Sequence, residues 1–120
     1  MLNAAYNDAA GVTARFNLNV LTRINRELGA DFDLDSFAHR AFYNRARSRI
    51  EMHIESLSRQ KIHVARRTIQ FRAGETIHTE NSYKYTLARF AALARGAGWV
   101  TRAVFTDPAE YFSLHVLTQG

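Results

Sequence analysis

Residues 75–85 bring together side chains that suit the binding of a small polar molecule. Within positions 80–85 the sequence places a Glu, an Asn, a Ser, two Tyr and a Lys. Such a group offers a carboxylate acceptor, hydroxyls that donate or accept, and aromatic walls. The alternative interpretation is an edge strand whose polar face is only solvated, which is common in antiparallel sheets.

The pattern of this stretch predicts a strand that begins after the turn signal Ala73-Gly74. Side chains of a strand alternate between its two faces. One face is therefore predicted to carry Thr76, His78, Glu80 and Ser82, and the other Ile77, Thr79, Asn81 and Tyr83. Neither face is a clean apolar stripe, so the pattern leaves both interpretations open.

The histidines do not form a recognisable metal motif. None of the five is paired at i, i+4 on a predicted helix, the spacing of a zinc protease. His53 and His78 fall on different predicted strands and can approach each other across a sheet. The sequence indicates no residue that would supply the remaining ligands, so no metal site is predicted.

Other catalytic patterns are incomplete as well. The acidic run 31–35 has the alternating Asp of a calcium loop, but Ser36 stands where that loop needs a Gly. Ser82, His78 and Asp107 lack the nucleophile elbow of a hydrolase. The six glycines are too scattered for a phosphate-binding loop. No catalytic residue is predicted.

Length and composition predict one cytoplasmic domain. The chain has 120 residues, which is a typical domain size, and no Cys, which fits a reducing compartment. The net charge is +5, but the arginines are spread along the whole chain, so no nucleic-acid partner is expected. No apolar run approaches the ~20 residues that span a bilayer, and no signal peptide is evident, so no membrane association is expected.

Helical periodicity is clear near the N-terminus. It predicts a helix over 8–28, with Asn7 or Asp8 as N-cap and Gly29 just beyond its end. The apolar stripe expected to face the core is Val12, Phe16, Val20, Ile24 and Leu28, joined by Leu21. The acidic run that follows is predicted to be a loop leading into a short helix.

The remaining chain predicts short strands and then a closing unit. From about residue 49 to 83 the period is two, as in Ile50, Met52 and Ile54, which indicates a meander of antiparallel strands. At Tyr85 the helical period returns with Thr86 as a cap, and apolar strands are expected at Trp99–Phe105 and Tyr111–Leu117. The predicted fold class is therefore α+β: N-terminal helix, strand meander, then a helix and two strands.

Four segments in this order resemble one enzyme family. They are residues 5–17 (AYNDAAGVTARFN), 25–32 (NRELGADF), 49–53 (RIEMH) and 74–85 (GETIHTENSYKY). Together they closely resemble the C-terminal part of the histidine Nα-methyltransferase family, which makes hercynine on the ergothioneine pathway with S-adenosylmethionine. The resemblance extends from about Ala5 to Leu117.

The resemblance implies a division of the chain. Family members have a Rossmann-like methyltransferase domain and a separate substrate-binding domain. By position, residues 1–83 look like a portion of the substrate-binding domain. Residues 84–120 look like the last helix and the final strands of the methyltransferase sheet.

The resemblance also implies four substrate-binding residues and histidine as the substrate. Tyr6 looks like the tyrosine that hydrogen-bonds the substrate, at its carboxylate. Glu80 looks like the acceptor of an imidazole N–H, with Ser82 as a partner on the same side. Met52 looks like a wall of the pocket. A Glu–imidazole hydrogen bond is charge-assisted, and it would reject side chains that leave the Glu unpaired.

This chain departs from the family in lacking the cofactor-binding half. The expectation is a truncated gene product or excised domain that binds no S-adenosylmethionine and methylates no histidine alone. Apolar surface near Trp99, Val104 and Phe112 is expected to be exposed and to favour self-association. The alternative is a non-catalytic small-molecule-binding or assembly module that needs a partner chain.

Overall fold

The computed structural model describes residues 6–8 and 11–120. It divides the chain into two compact units, an N-terminal unit (Met1–Tyr83) and a C-terminal unit (Lys84–Gly120). The fold is α+β, as the changes of periodicity predict: a helix, antiparallel strands, a second helix and two further strands. No helix among the described residues is long and apolar enough to span a membrane.

Helix α1 (Val12–Leu28) begins four residues later than its periodicity predicts. Gly11 adopts a left-handed conformation (φ 69°), which is incompatible with a continuing helix. Asp8 nevertheless acts as a cap, because its carboxylate accepts from the N–H groups of Val12 and Thr13, each at 3.2 Å. The helix ends as predicted at Gly29, whose φ is 62°.

The face of α1 that meets the core is only part of the predicted stripe, namely Leu21 and Ile24. Leu21 is fully buried and Ile24 packs against the core, while Phe16 is 71% exposed. The sheet contacts the side of the helix that carries Asn17, Leu21 and Ile24, at the spacing i, i+4, i+7. This arrangement leaves part of the predicted apolar stripe on the surface of the unit.

The main sheet of the N-terminal unit has three antiparallel strands in the order β1–β2–β5. Its strands are β1 (Phe37–Asn44), β2 (Arg49–Ser56) and β5 (Thr76–Tyr83). Between β2 and β5 lies a hairpin of β3 (Gln60–Val64) and β4 (Arg67–Phe71). Strand β1 was missed by the sequence analysis, which expected a short helix after the acidic run; that helix is a single 3₁₀ turn, Leu34–Ser36.

The core of this unit lies between α1, the main sheet and the hairpin. Its buried members are Leu21, Phe32, Phe37, Ile54, Ile62 and Phe71. The phenylalanine rings pack edge to face, with centroids 5.4 Å apart for Phe32–Phe37 and 5.6 Å for Phe37–Phe71. The core therefore fixes β2 against the helix, and β2 in turn fixes β5.

Hydrogen bonds of one carboxylate tie the loop after α1 to the hairpin. The Asp31 carboxylate accepts from the backbone N–H of His63 (2.6 Å) and lies 2.8 Å from His63 Nδ1. These hydrogen bonds, the backbone bond first, lower the pKa of Asp31 below its usual value of 3.8.

We expect the Asp31 contact to stabilise the chain at neutral pH and to be lost in acid. A carboxyl whose pKa is lower in the folded than in the unfolded chain adds stability above its unfolded pKa, and that stability disappears as the pH falls. Asp31→Asn should therefore be less stable than the wild type at pH 7. Urea unfolding of both proteins at pH 7 and at pH 3 checks this. The difference in their free energies of unfolding should be smaller at pH 3 than at pH 7, and the same difference at the two pH values would contradict the prediction.

The C-terminal unit consists of α2 (Leu87–Gly96) and the antiparallel pair β6 (Trp99–Thr106) and β7 (Ser113–Gln119). Thr86 caps α2 as predicted, accepting from the N–H of Arg89 at 3.1 Å. Strand β7 begins two residues later than expected, because Asp107 Oδ1 accepts from the N–H of Phe112 within the turn. Large apolar side chains of this unit are exposed, Phe112 by 69%.

Candidate functional site

Strand β5 pairs with β2 through a register shift. His53 lies opposite His78, and Met52, which precedes His53 on β2, lies opposite Glu80. Thr79 has no partner position on β2 and is therefore the extra residue of a β-bulge. The Thr79 hydroxyl lies 2.7 Å from Asn17 Oδ1 on α1 and 3.0 Å from the carbonyl oxygen of Met52. The bulge is thus held by side-chain contacts to the helix and by the neighbouring strand.

Because of the bulge, the prediction that Thr76, His78, Glu80 and Ser82 share one face of β5 is wrong. We call the sheet face that packs on α1 the inner face; it carries Ile54 of the core and, by the register, Met52 and Glu80. The opposite, outer face carries His53 and, opposite it, His78. One extra residue interrupts the alternation, so Glu80 and His78 lie on opposite faces although they are two positions apart.

The four predicted substrate-binding residues are on the inner side or contact a residue there, and Glu80 is the one of the four that borders the cavity described below. Met52 is 3% exposed and lies directly opposite Glu80 across the β2–β5 ladder. Ser82, two residues further along β5, accepts a hydrogen bond from the Tyr6 hydroxyl at 2.8 Å. The backbone carbonyl of Tyr6 lies 2.8 Å from His39 Nε2 of β1. These contacts join the segment before α1 to β1 and β5, the two outermost strands of the sheet.

A cavity of about 260 Å³ opens beside Glu80. It is bounded by α1 and the bulge, and its lining consists of Phe16, Asn17, Asn19, Val20, Arg23, Thr79 and Glu80. In the part of the chain that the structure describes, the Glu80 carboxylate makes no hydrogen bond or ion pair. Its oxygens are therefore available to a donor that enters from the cavity side.

Asn17 connects the helix to all three strands of the sheet. It is 4% exposed, and its amide nitrogen donates to His39 Nδ1 (2.9 Å) and to the carbonyl oxygen of His53 (3.0 Å). Its amide oxygen accepts from Thr79. With Nδ1 of His39 accepting, the ring proton sits on Nε2 and donates to the Tyr6 carbonyl. One buried amide thus positions both the bulge and Tyr6.

We expect Asn17→Ala to destabilise the N-terminal unit by about 2–3 kcal/mol, because buried polar groups on three strands lose their partner. Asn19→Ala, the same change at an exposed position of α1, is the matched control and should cost less than about 0.5 kcal/mol. Urea unfolding followed by far-UV circular dichroism measures both. Equal stabilities of the two variants would contradict the role given to Asn17.

The outer face carries a second polar cluster, built on Glu51. Glu51 is 6% exposed, and hydrogen bonds from His53 first, then from Asn44 and Arg49, lower its pKa to about 2. The His53 ring stacks on His78 with centroids 4.4 Å apart, and on Phe42 at 5.2 Å. The sequence predicts that the two histidines can approach each other across the sheet, but Glu51 was not predicted to join them. The sequence pattern could have placed Glu51 beside His53, because the two residues are two positions apart on one strand and therefore share a face.

The whole chain matches a known protein family. Residues 1–119 match the family described as histidine-specific, SAM-dependent methyltransferases. Two proteins named histidine N-alpha-methyltransferase, from Mycolicibacterium smegmatis and Mycobacterium tuberculosis, are each 46% identical to the chain over 112 residues. The match covers 92% of this chain and 35% of each relative, so the chain spans about a third of their length. The chain belongs to the histidine-specific, SAM-dependent methyltransferase family.

Proposed function

We propose that this chain is the C-terminal part of a SAM-dependent methyltransferase acting on the α-amine of histidine, and that it supplies one wall of the histidine pocket. Family membership supports the reaction. The observation that carries the pocket is the bulge at Thr79, which turns Glu80 to the inner face opposite Met52. Without it, Glu80 would lie on the face away from Met52.

In this proposal Glu80 recognises the imidazole. Its carboxylate has no side-chain partner among the described residues and borders a cavity, so an imidazole N–H can donate to it. Ser82 binds on the same side, and Met52 gives an apolar wall beneath the ring. Tyr6 hydrogen-bonds the carboxylate of the substrate, and for this its single hydroxyl proton would turn from Ser82, to which it donates in the structure, to that carboxylate.

The role of this chain in the reaction is positioning. Methyl transfer requires the amine to be held in line with the donor more than it requires acid–base groups. A Glu–imidazole bond at one end of the substrate and a Tyr–carboxylate bond at the other would fix the α-amine between them. Specificity follows, because an amino acid without a ring N–H would leave the Glu80 carboxylate unpaired.

The described residues do not fit S-adenosylmethionine. The glycines are scattered, and the described strands include no parallel βαβ unit that could hold an adenosine. We assign cofactor binding to the part of the relatives that this chain does not match. The chain alone is therefore expected neither to bind S-adenosylmethionine measurably nor to methylate histidine.

The two units have different roles in this proposal. The N-terminal unit is the larger part of the substrate-binding domain. The C-terminal unit is the last helix and the final two strands of the methyltransferase sheet. Its exposed apolar residues, among them Phe105 at 60% and Leu114 at 62%, would pack on the rest of that sheet.

The same exposed surface favours a second candidate function. The chain can act as an assembly module that binds a partner chain, or a second copy of itself, through the apolar face of the C-terminal unit. The reading frame upstream of Met1 distinguishes the two. A continuous frame encoding a glycine-rich βαβ unit supports one enzyme, and a separate neighbouring gene for that half supports a two-chain assembly.

A chimera tests the proposed function directly. In this protein, which we call the chimera, the chain replaces the matching segment of the Mycolicibacterium smegmatis relative. We expect the chimera to methylate histidine, and mass spectrometry of the product measures this. Binding of S-adenosylhomocysteine reports that the cofactor half is folded. A chimera that binds S-adenosylhomocysteine and methylates no histidine would contradict the proposal.

A further inference from the structure

The outer face of the main sheet brings three metal-ligating side chains to one point. Glu51 and His53 project from β2, and His78 projects from β5 directly opposite His53. Glu51 Oε1 lies 3.0 Å from His53 Nε2 and 3.8 Å from His78 Nε2. Within the described ranges 6–8 and 11–120, the ligand atoms of these three residues all lie within 4.8 Å of one another.

These separations approach those of a metal-bound set. Zinc binds His nitrogen and carboxylate oxygen at ~2.0–2.2 Å, so neighbouring ligand atoms around it stand roughly 3.0–3.5 Å apart. The Glu51–His53 pair already meets this distance. The His78 ring is stacked on His53 and must turn for its Nε2 lone pair to face the same point. His78 is 36% exposed, which leaves room for that rotation.

Hydrogen bonds from surrounding groups fix the orientation of the Glu51 and His53 side chains. Arg49 and Asn44 both donate to Glu51 Oε2, at 2.9 and 2.8 Å, so Oε1 faces the two histidines. The other ring nitrogen of His53, Nδ1, lies 2.9 Å from the Thr76 hydroxyl. Such outer contacts orient ligands in known metal sites.

We propose that Glu51, His53 and His78 form a binding site for a divalent first-row transition metal ion, typified by Zn²⁺. Two imidazoles and one carboxylate are a ligand set that suits such ions. On binding, each neutral imidazole presents an unprotonated Nε2 and carries its ring proton on Nδ1, where that of His53 can donate to the Thr76 hydroxyl. The contact of His78 Nε2 with Asn81 Oδ1 (2.6 Å) is broken. The ion bridges β2 and β5, and so clamps the strand that carries Glu80.

Calorimetric titration of the untagged 120-residue chain with Zn²⁺ tests the site. We expect one ion per chain. His78→Ala should weaken binding at least ~10-fold, because a ligand is lost. His63→Ala is the matched control: this histidine lies on the β3–β4 hairpin beside Asp31, and its loss should leave the affinity within about twofold. Far-UV circular dichroism verifies that both variants are folded.

A second readout identifies the ligands. Co²⁺ in place of Zn²⁺ should give visible absorption bands in the wild type, and these bands should change in His78→Ala but not in His63→Ala. The proposal is overturned if the chain shows no saturable binding. It is equally overturned if His63→Ala and His78→Ala weaken binding alike, which would indicate adventitious binding to surface histidines.

Discussion

Glu80→Ala is expected to lower kcat/KM for histidine roughly 10- to 100-fold in the chimera. A hydrogen bond to a charged group contributes about 1.5–3 kcal/mol, and each 1.4 kcal/mol is a factor of ten in rate. The carboxylate faces the inner cavity and has no side-chain partner among the described residues, so its removal disturbs no internal bond. Steady-state kinetics with histidine measures the effect.

Glu75→Ala is the matched control for this change. Glu75 is in the turn before β5, where its carboxylate accepts from the N–H of Arg72 at 2.8 Å. The Glu75→Ala substitution removes a negative charge from the same segment but away from the pocket. We therefore expect its kcat/KM to be within about twofold of that of the unsubstituted chimera. Equal losses in the two variants would mean that the charge of the segment matters and the position of Glu80 does not.

Leu21→Ala is expected to destabilise the N-terminal unit by about 3 kcal/mol or more. Leu21 is fully buried among aromatic and β-branched side chains, and replacing a buried Leu with Ala typically costs about 2–5 kcal/mol in lost burial and cavity formation. A change of that size is a large part of the stability of a small domain. Hydrogen exchange of the β2 amides measures it within this unit.

The same substitution at Leu28 is the control. Leu28 is on the same helix and is 56% exposed, so Leu28→Ala should change stability by less than about 0.5 kcal/mol. Because both variants replace Leu with Ala on α1, helix propensity differs little between them. A similar loss of protection in both would contradict the assignment of Leu21 to the core.

The sequence could predict those features that depend on local pattern. The period-two run around Met52 and the helical run after Thr86 each follow from burial on one side of a regular element. Strand β1 was missed because its inward positions include His39 and Ala41 beside Phe37 and Tyr43, so its apolar alternation is weak. That strand is specified by pairing with β2, which no local pattern shows.

The candidate site residues were chosen by resemblance, and strict alternation places those of β5 on the wrong face relative to His78. A strict period of two put Glu80 and His78 on one face, whereas the bulge at Thr79 separates them. The bulge residue Thr79 hydrogen-bonds Asn17, which is 62 positions away in the chain, so inspection of β5 alone could not reveal this contact. The outer cluster needed the same information, since it joins Glu51 of β2 to His78 of β5.

The most direct test of the central claim compares two substrates in three proteins: the chimera and its Glu80→Ala and Glu75→Ala variants. Histidine and β-(2-thienyl)alanine have rings of similar size, but only histidine can donate a ring N–H to Glu80. We predict that the ratio of their kcat/KM values falls at least ~10-fold from the chimera to its Glu80→Ala variant, and stays constant in Glu75→Ala. A ratio unchanged by Glu80→Ala would show that this carboxylate does not recognise the imidazole.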